Sequence, residues 1–207
     1  MSVGKRLLDV TLALILSVLL APVVLMLALL VLVIDGRPVF FGSLRVRAPG
    51  ENFRLWKLRT MVNDSADAGV TGGDKSRRIT RMGGFLRRTR LDELPQLYNI
   101  LKGDISFVGP RPPLPRYVEM FPELYAEVLE SRPGLTGLAT LTYHRTEEKL
   151  LKSCKTAAET EAVYIRRCIP RKARIDLLYA AKRSICSDLG LIIATGLGPR
   201  WWRKRRM

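Results

Sequence analysis

The sequence predicts an α+β fold, mostly helical, in which an apolar N-terminal helix holds a small globular domain at a membrane. Three observations carry that expectation. Residues 10–34, VTLALILSVLLAPVVLMLALLVLVI, contain no charge. After Asp35-Gly36 the pattern turns to short strands and to apolar residues at helical spacing. The 207-residue chain carries a formal charge of +16, so its partners are anionic. Nucleic acid, acidic lipid and phosphorylated metabolites all satisfy that last condition.

The apolar run is long enough to cross a bilayer core of roughly 30 Å as a helix. It is too long for the apolar part of a signal peptide, and no small-residue cleavage site follows. Pro22 sits near its middle, where a proline removes a backbone bond and tends to kink or break a helix. Basic residues flank both ends, Lys5 and Arg6 before, Arg37, Arg45 and Arg47 after, without the asymmetry of a spanning helix. A helix that breaks at Ala21-Pro22 and returns to the same face satisfies both observations. A single span with a tolerated proline stays open beside it. Cys154, Cys168 and Cys186 match neither a disulfide framework nor a zinc pattern, which favours a reducing compartment. His144 stands alone and reads as structural.

Residues 40–47 and 53–58 read as two strands joined by a turn at Pro49-Gly50. Residues 63–76, rich in Asp, Gly, Ser and Thr, read as a loop, and a short helix follows at 84–89. Leu94, Leu97, Tyr98 and Leu101 give one apolar helical face. Pro95 is tolerated only in a first turn, so that helix starts near Asp92 and stops at Gly103. The four prolines of 106–117 make an extended or turning segment. Tyr117, Phe121, Tyr125 and Val128 share a helical face, and 132–138 is a turn entering a short strand. Residues 146–168 read as one or two charged amphipathic helices, and 173–197 as helices lying on a membrane surface. The tail RWWRKRRM suits an anionic headgroup layer.

Asp92 and Glu93 follow seven basic residues between Lys75 and Arg90 that are interrupted by no acid. A helix cap accounts for an ordinary Asp-Glu pair. Here the upstream cations and Arg111 offer a pocket that attracts phosphate oxygens. In such a pocket an ionised Asp can attack phosphorus to form an acyl phosphate, and Glu can help hold Mg²⁺.

The stretch DKSRRITRMGGFLRRTRLDELPQLYNILKGDISFVGPRP (74–112) closely resembles the bacterial sugar transferase family, the monotopic phosphoglycosyl transferases. RPVFFGSLRVRAPGENFRLWKLRTM (37–61), SRPGLTGLA (131–139) and the C-terminal helices extend the resemblance over nearly the whole chain. The resemblance implies transfer of a sugar-1-phosphate from a UDP-sugar to undecaprenyl or another polyprenyl phosphate, releasing UMP and opening exopolysaccharide or glycoconjugate synthesis. It implies Asp92 as covalent nucleophile, Glu93 as Mg²⁺ ligand, and Lys57, Arg87 and Arg111 as phosphate-binding residues, with Arg59 and Arg88 as further candidates. It further implies a re-entrant helix over 1–36, breaking at Ala21-Pro22 where relatives have Ser-Pro, and a catalytic domain over 37–207 on the cytoplasmic face of the bacterial inner membrane. Downstream glycosyltransferases are the expected partners, and a homodimer stays open. The short length reads as a minimal, single-domain member. Departures fall at Ser43, at Arg90 and at TLTYHRTEE (140–148), the last bearing on the choice of sugar, with His144 or Arg145 facing the donor.

Rival readings belong to other classes. A nucleic-acid-binding protein is also basic but has no use for residues 10–34, and none of its recognition motifs is present. A non-catalytic scaffold of a glycan assembly complex fits less well with intact Asp92, Glu93 and Arg111. A polytopic transferase using two metal-bound carboxylates would carry more membrane segments than one.

Overall fold

The computed structural model describes residues 1–62 and 77–197. The loop expected over 63–76, Lys75 included, and the tail from 200 onward lie outside the described residues. Helix and strand are mixed and helix dominates.

Helix α1 runs from Val3 to Asp35, with the Ser2 hydroxyl accepting from the Lys5 N–H at its start. At 1.5 Å per residue it is about 50 Å long, and it is long and apolar enough to cross a membrane. Pro22 lies inside it, and helix is assigned on both sides of Ala21 and Pro22. A proline deletes only its own bond, to the carbonyl four residues back, and the helical bonds on either side carry the helix past it. Both halves of α1 dock on the same globular body. Near its start Lys5 pairs with Asp188, and Arg6 donates to the carbonyls of Ile100 (2.7 Å) and Leu101 (2.8 Å). Asp9 accepts from the Phe107 N–H at 3.3 Å. In the second half Leu27 and Val31 pack on Leu58 and Leu86, and the Arg59 guanidinium holds the carbonyls of Asp35 and Gly36. Leu7, Val18, Leu19, Leu25, Leu29 and Val33 stay exposed.

Strands β1 (Phe40–Ala48) and β2 (Glu51–Leu58) form the expected antiparallel hairpin, turning at Pro49-Gly50 with Gly50 at φ +77°. Helix α2 (Arg81–Thr89) starts three residues earlier than its sequence suggests. Gly83 looks like a helix breaker but serves contact: a Cβ there would lie 2.1 Å from the Thr60 carbonyl oxygen.

The helix expected from Asp92 begins later. Leu91–Glu93 is a 3-10 turn, and helix α3 spans Gln96–Lys102. Pro95 has no N–H to give to Leu91, so the chain enters through i→i+3 bonds such as Leu97 N–H to Leu94 carbonyl, 3.1 Å. The altered phase turns Asn99 and Ile100 inward and leaves Tyr98 58% exposed, against the stripe read from sequence.

Strands β3 (Ser106–Val108) and β4 (Gly134–Thr136) pair in parallel. Between them lie α4 (Pro115–Met120) and α5 (Pro122–Val128), divided at Pro122. Helix α6 (Leu138–Lys152) starts directly after β4, eight residues before the expected helix at 146. Helix α7 (Ala157–Val163), a π-turn at Tyr164–Cys168, α8 (Ile169–Lys182) and α9 (Ile185–Leu197) complete the chain. One core joins the α1 residue Ala13 with Phe53, Leu55, Ile100, Phe107 and Leu191. A second surrounds Tyr117, Tyr164 and Ile169.

Asn99 locks α3 to the hairpin. Its side chain, 1% exposed, accepts from the Trp56 N–H (3.0 Å) and donates to the Arg54 carbonyl (2.8 Å) and to Asp104 (2.9 Å). It thus continues β2's edge as a strand would. Replacing it leaves buried backbone groups unpaired, so Asn99→Ala should cost about 2 kcal/mol in a denaturant melt. A midpoint equal to that of the parent would contradict this role.

Candidate active site

The site grows from the 3-10 turn. Leu91 and Leu94 face the α1 cluster around Leu27 and Val31, which leaves the two carboxylates between them directed the other way. Asp92 is 8% exposed. Glu93 accepts from Arg111 at 3.0 Å and lies 3.7 Å from Arg90. Arg90 holds φ +59°, the one positive-φ non-glycine residue described. That left-handed turn ends α2 and begins the acidic turn.

Side chains alternate across a strand, so the hairpin register places Phe41, Ser43 and Arg45 on one face with Lys57, Leu55 and Phe53. Phe53 and Leu55 fill the core. Lys57 continues the row toward Asp92, its ammonium 5.5 Å from the Phe41 ring centre. Arg45 donates to Ser43 (3.2 Å) and to the Pro112 carbonyl (3.1 Å), beside Arg111. Arg87 of α2, half-buried with one guanidinium nitrogen 3.4 Å from the Met61 sulfur, also acts on Asp92.

Close backbone contact positions Arg111. The Gly109 N–H donates to the Thr136 carbonyl (2.9 Å) and the Gly134 N–H to the Pro110 carbonyl (2.8 Å). A Cβ on Gly109 would lie 2.1 Å from the Arg132 carbonyl oxygen, so the two glycine-bearing segments fit only because both glycines are bare.

Electrostatics separate the two carboxyls. Burial and the neighbouring Glu93 charge push Asp92 up, against the opposing pull of Lys57 and Arg87. Glu93 is also pushed up by burial, but Arg111 and Arg90 outweigh this and hold it below its ordinary value. Burial and then Arg45 depress Lys57 to about 8, and burial and then Arg111 depress Arg45 to about 10. Cations crowded to the point of losing proton affinity form a receptor for anions.

Of the residues expected from sequence, Asp92, Glu93, Lys57, Arg87 and Arg111 come together. Arg59 does not join them; it clamps the end of α1. Arg88 is exposed, one position further round α2. Sequence reasoning missed Arg45 and Arg90, as well as a second layer in which Lys172 contacts Glu147 (3.1 Å) and lies 5.2 Å from the Tyr164 ring centre. Strand alternation marks Arg45 once Lys57 is chosen. The second layer depends on α6 meeting α8 and has no local signal. His144 stands on α6, exposed at the surface, and partial desolvation and then the Arg90 charge hold it below its ordinary value.

The family model described as Bacterial sugar transferase matches residues 1–198. A UDP-glucose:undecaprenyl-phosphate glucose-1-phosphate transferase of Klebsiella pneumoniae is 34% identical over 79% of this chain and 36% of its own length. One of that name from Caulobacter vibrioides is 37% identical over 92% and 67%. A UDP-N-acetylgalactosamine-undecaprenyl-phosphate N-acetylgalactosaminephosphotransferase of Aeromonas hydrophila is 36% identical over 67% and 34%. The chain thus spans about a third of the length of the Klebsiella and Aeromonas relatives.

The depressed Lys57 predicts a trade of stability for charge. In the fold its ammonium is disfavoured at every pH below about 8. Lys57→Met should therefore melt higher than the parent at pH 7. Between about pH 8 and the ordinary lysine value the unfolded chain holds a proton that the folded chain lacks, so the parent gains stability as pH rises and the gap closes. A lower melting temperature for Lys57→Met at pH 7 would contradict the crowding.

Proposed function

This chain belongs to the bacterial sugar transferase family, and from that premise we propose that it transfers a sugar-1-phosphate from a UDP-sugar to undecaprenyl or a related polyprenyl phosphate, releasing UMP. The observation that carries the proposal is the buried Asp92 turned into a cluster of Lys57, Arg87, Arg45 and Arg111, with its neighbour Glu93 held ionised by Arg111. Two phosphate-bearing substrates need such a cluster, and a carboxylate nucleophile needs its charge.

In the first step an Asp92 carboxylate oxygen attacks the sugar-bearing phosphorus. A bond forms between that oxygen and phosphorus, and the bond to the bridging oxygen breaks. The bridging oxygen leaves with UMP, and an acyl phosphate carrying the sugar remains on Asp92. In the second step a phosphate oxygen of the lipid attacks the same phosphorus, the bond from phosphorus to the Asp92 oxygen breaks, and the Asp92 carboxylate is regenerated beside a lipid diphosphate-sugar. Lys57, Arg45, Arg87 and Arg111 offset the repulsion between carboxylate and phosphate and bind charge on the transferring group.

The donor set suits Mg²⁺. Among the described residues no cluster of three acidic, His or Cys ligands exists, whereas Asp92 and Glu93 offer adjacent hard oxygens. Mg²⁺ typically takes one or two carboxylates and completes its shell with substrate phosphates and water. Glu93, with Asp92 beside it, is the residue to hold the ion, which when bound supplies positive charge to the diphosphate.

We read α1 as an anchor that does not cross the bilayer, because one domain holds both of its ends. Arg6 binds α3 carbonyls and Arg59 binds the carbonyls at the far end of α1, all within one domain. A spanning helix would separate those ends by a bilayer core of roughly 30 Å. On this reading residues 1–36 are a monotopic anchor, and the family resemblance supports a catalytic domain on the cytoplasmic face of the inner membrane. Its lipid-linked product is the kind of acceptor that glycosyltransferases extend. Since relatives differ in the sugar named, the donor must be found by assay.

In nanodiscs with Mg²⁺, undecaprenyl phosphate and a panel of UDP-sugars, the chain should release UMP with one or more donors. Release should depend on the lipid, vanish with EDTA and fall at least a thousandfold in Asp92→Asn. UMP release that survives Asp92→Asn would sink the covalent route. The pH profile of kcat/KM for the donor should fall on the acid side as Asp92 takes a proton, and above about pH 8 as Lys57 loses one. Lys57→Arg should retain some activity and move the alkaline limb upward; a limb that stays in place would assign it to another group.

A further inference from the structure

The outer face of the β1–β2 hairpin carries an apolar surface that the proposed chemistry does not use. On that face Phe40 pairs with Leu58, Gly42 with Trp56 and Leu44 with Arg54. The Trp56 indole lies flat over Gly42, where an added Cβ would be 3.3 Å from its ring. Phe40, Trp56, Pro95 and Tyr98 line a shallow groove there. Phe40 is 45%, Leu44 50% and Tyr98 58% exposed. Large aromatic groups so exposed next to one another mark a surface that meets a partner.

Continuity and charge identify the partner. The same hairpin face begins at Leu58, fully buried against Leu27 and Val31 of α1, so the aromatic patch extends directly from the apolar anchor. Exposed cations rim it: Arg37 at the end of the anchor and Arg54 across from Leu44, with Lys102, paired to Asp104 at 3.4 Å, one turn beyond Tyr98. Tryptophan and tyrosine prefer the headgroup level, and arginine and lysine beside them attract anionic lipid. We propose that the outer hairpin face, through Phe40, Leu44, Trp56 and Tyr98, is a second bilayer contact that sits in an anionic headgroup layer beside α1. This contact goes beyond the transferase reading and does not depend on it, and it fixes the tilt of the domain. Pro95, which lines the groove, is two residues from Glu93, so such a contact would bring the acidic turn close to the headgroup layer.

The test uses the full chain with Trp201→Phe and Trp202→Phe, which leaves Trp56 as the one indole. In nanodiscs containing phosphatidylglycerol with brominated acyl chains, its emission should drop by roughly half relative to unbrominated lipid, as for an indole at headgroup depth, and resist aqueous iodide. A companion with Trp56→Phe and Val18→Trp reports the exposed face of α1. Quenching of the companion without quenching of Trp56 would overturn the proposal while leaving the anchor in the membrane. Trp56 shielded from iodide yet unquenched by bromine would place a protein partner, such as a second copy, on the patch and overturn it too. Failure of both indoles to respond would remove the hairpin and α1 from the bilayer together.

Discussion

The ion pair between Glu93 and Arg111 is the contact on which the site depends. It joins a turn that leans on the membrane helix to a segment held by the β3–β4 pairing, and so fixes the distance between the acidic pair and the cations. It also decides which carboxyl does what. Arg111 and Arg90 hold Glu93 below its ordinary value, and burial together with the Glu93 charge pushes Asp92 upward. Two acids adjacent in sequence thereby acquire different chemistry, as expected when environments drive titratable neighbours apart.

Cations impose the opposite difficulty. Lys57 and Arg45 share a face of the hairpin and a half-buried setting, and each loses proton affinity through burial and the positive charge of its neighbours. A fold selected for stability alone would spread them out. Their crowding makes sense where anionic substrates complete the charge balance, and the scaffold answers it with rigid devices: the Asn99 clamp on β2, the bare glycines at 109 and 134, and the Arg59 grip on the end of α1. The anchor belongs to the same design. Since α1 packs beside Leu91 and Leu94, the acidic turn lies one residue from a helix whose other faces are apolar and exposed.

Much of this was legible in the sequence, and the misses share a cause. The hairpin followed from alternation and a Pro-Gly turn, and the acidic pair stood out against seven upstream cations. Arg45 was hidden because its significance depends on register, and Lys172 and Glu147 because theirs depends on two helices far apart in sequence. Tyr98 was assigned to the core because a regular α-helix was assumed, whereas Pro95 imposed a 3-10 entry that rotated the face. The α2 helix was expected to start only after Gly83, whereas Gly83 sits inside it and serves close contact with Thr60. Arg59 and Arg88 looked like Arg87 and Arg111 by composition, yet one binds carbonyls and the other faces outward. Local pattern identified residue types and elements; only packing sorted the arginines by task.

The central claim is that Asp92 bonds covalently to the transferring phosphate. The most direct measurement gives the protein a UDP-sugar it accepts and Mg²⁺, omits the lipid acceptor, quenches in acid and maps the mass of the peptide containing Asp92. The account predicts a sugar-phosphate adduct on Asp92, formed with a single burst of UMP no larger than the amount of enzyme and discharged when polyprenyl phosphate is added. No burst and an unmodified peptide, from enzyme that turns over once the lipid is present, would contradict it and assign the reaction to direct attack by the lipid phosphate.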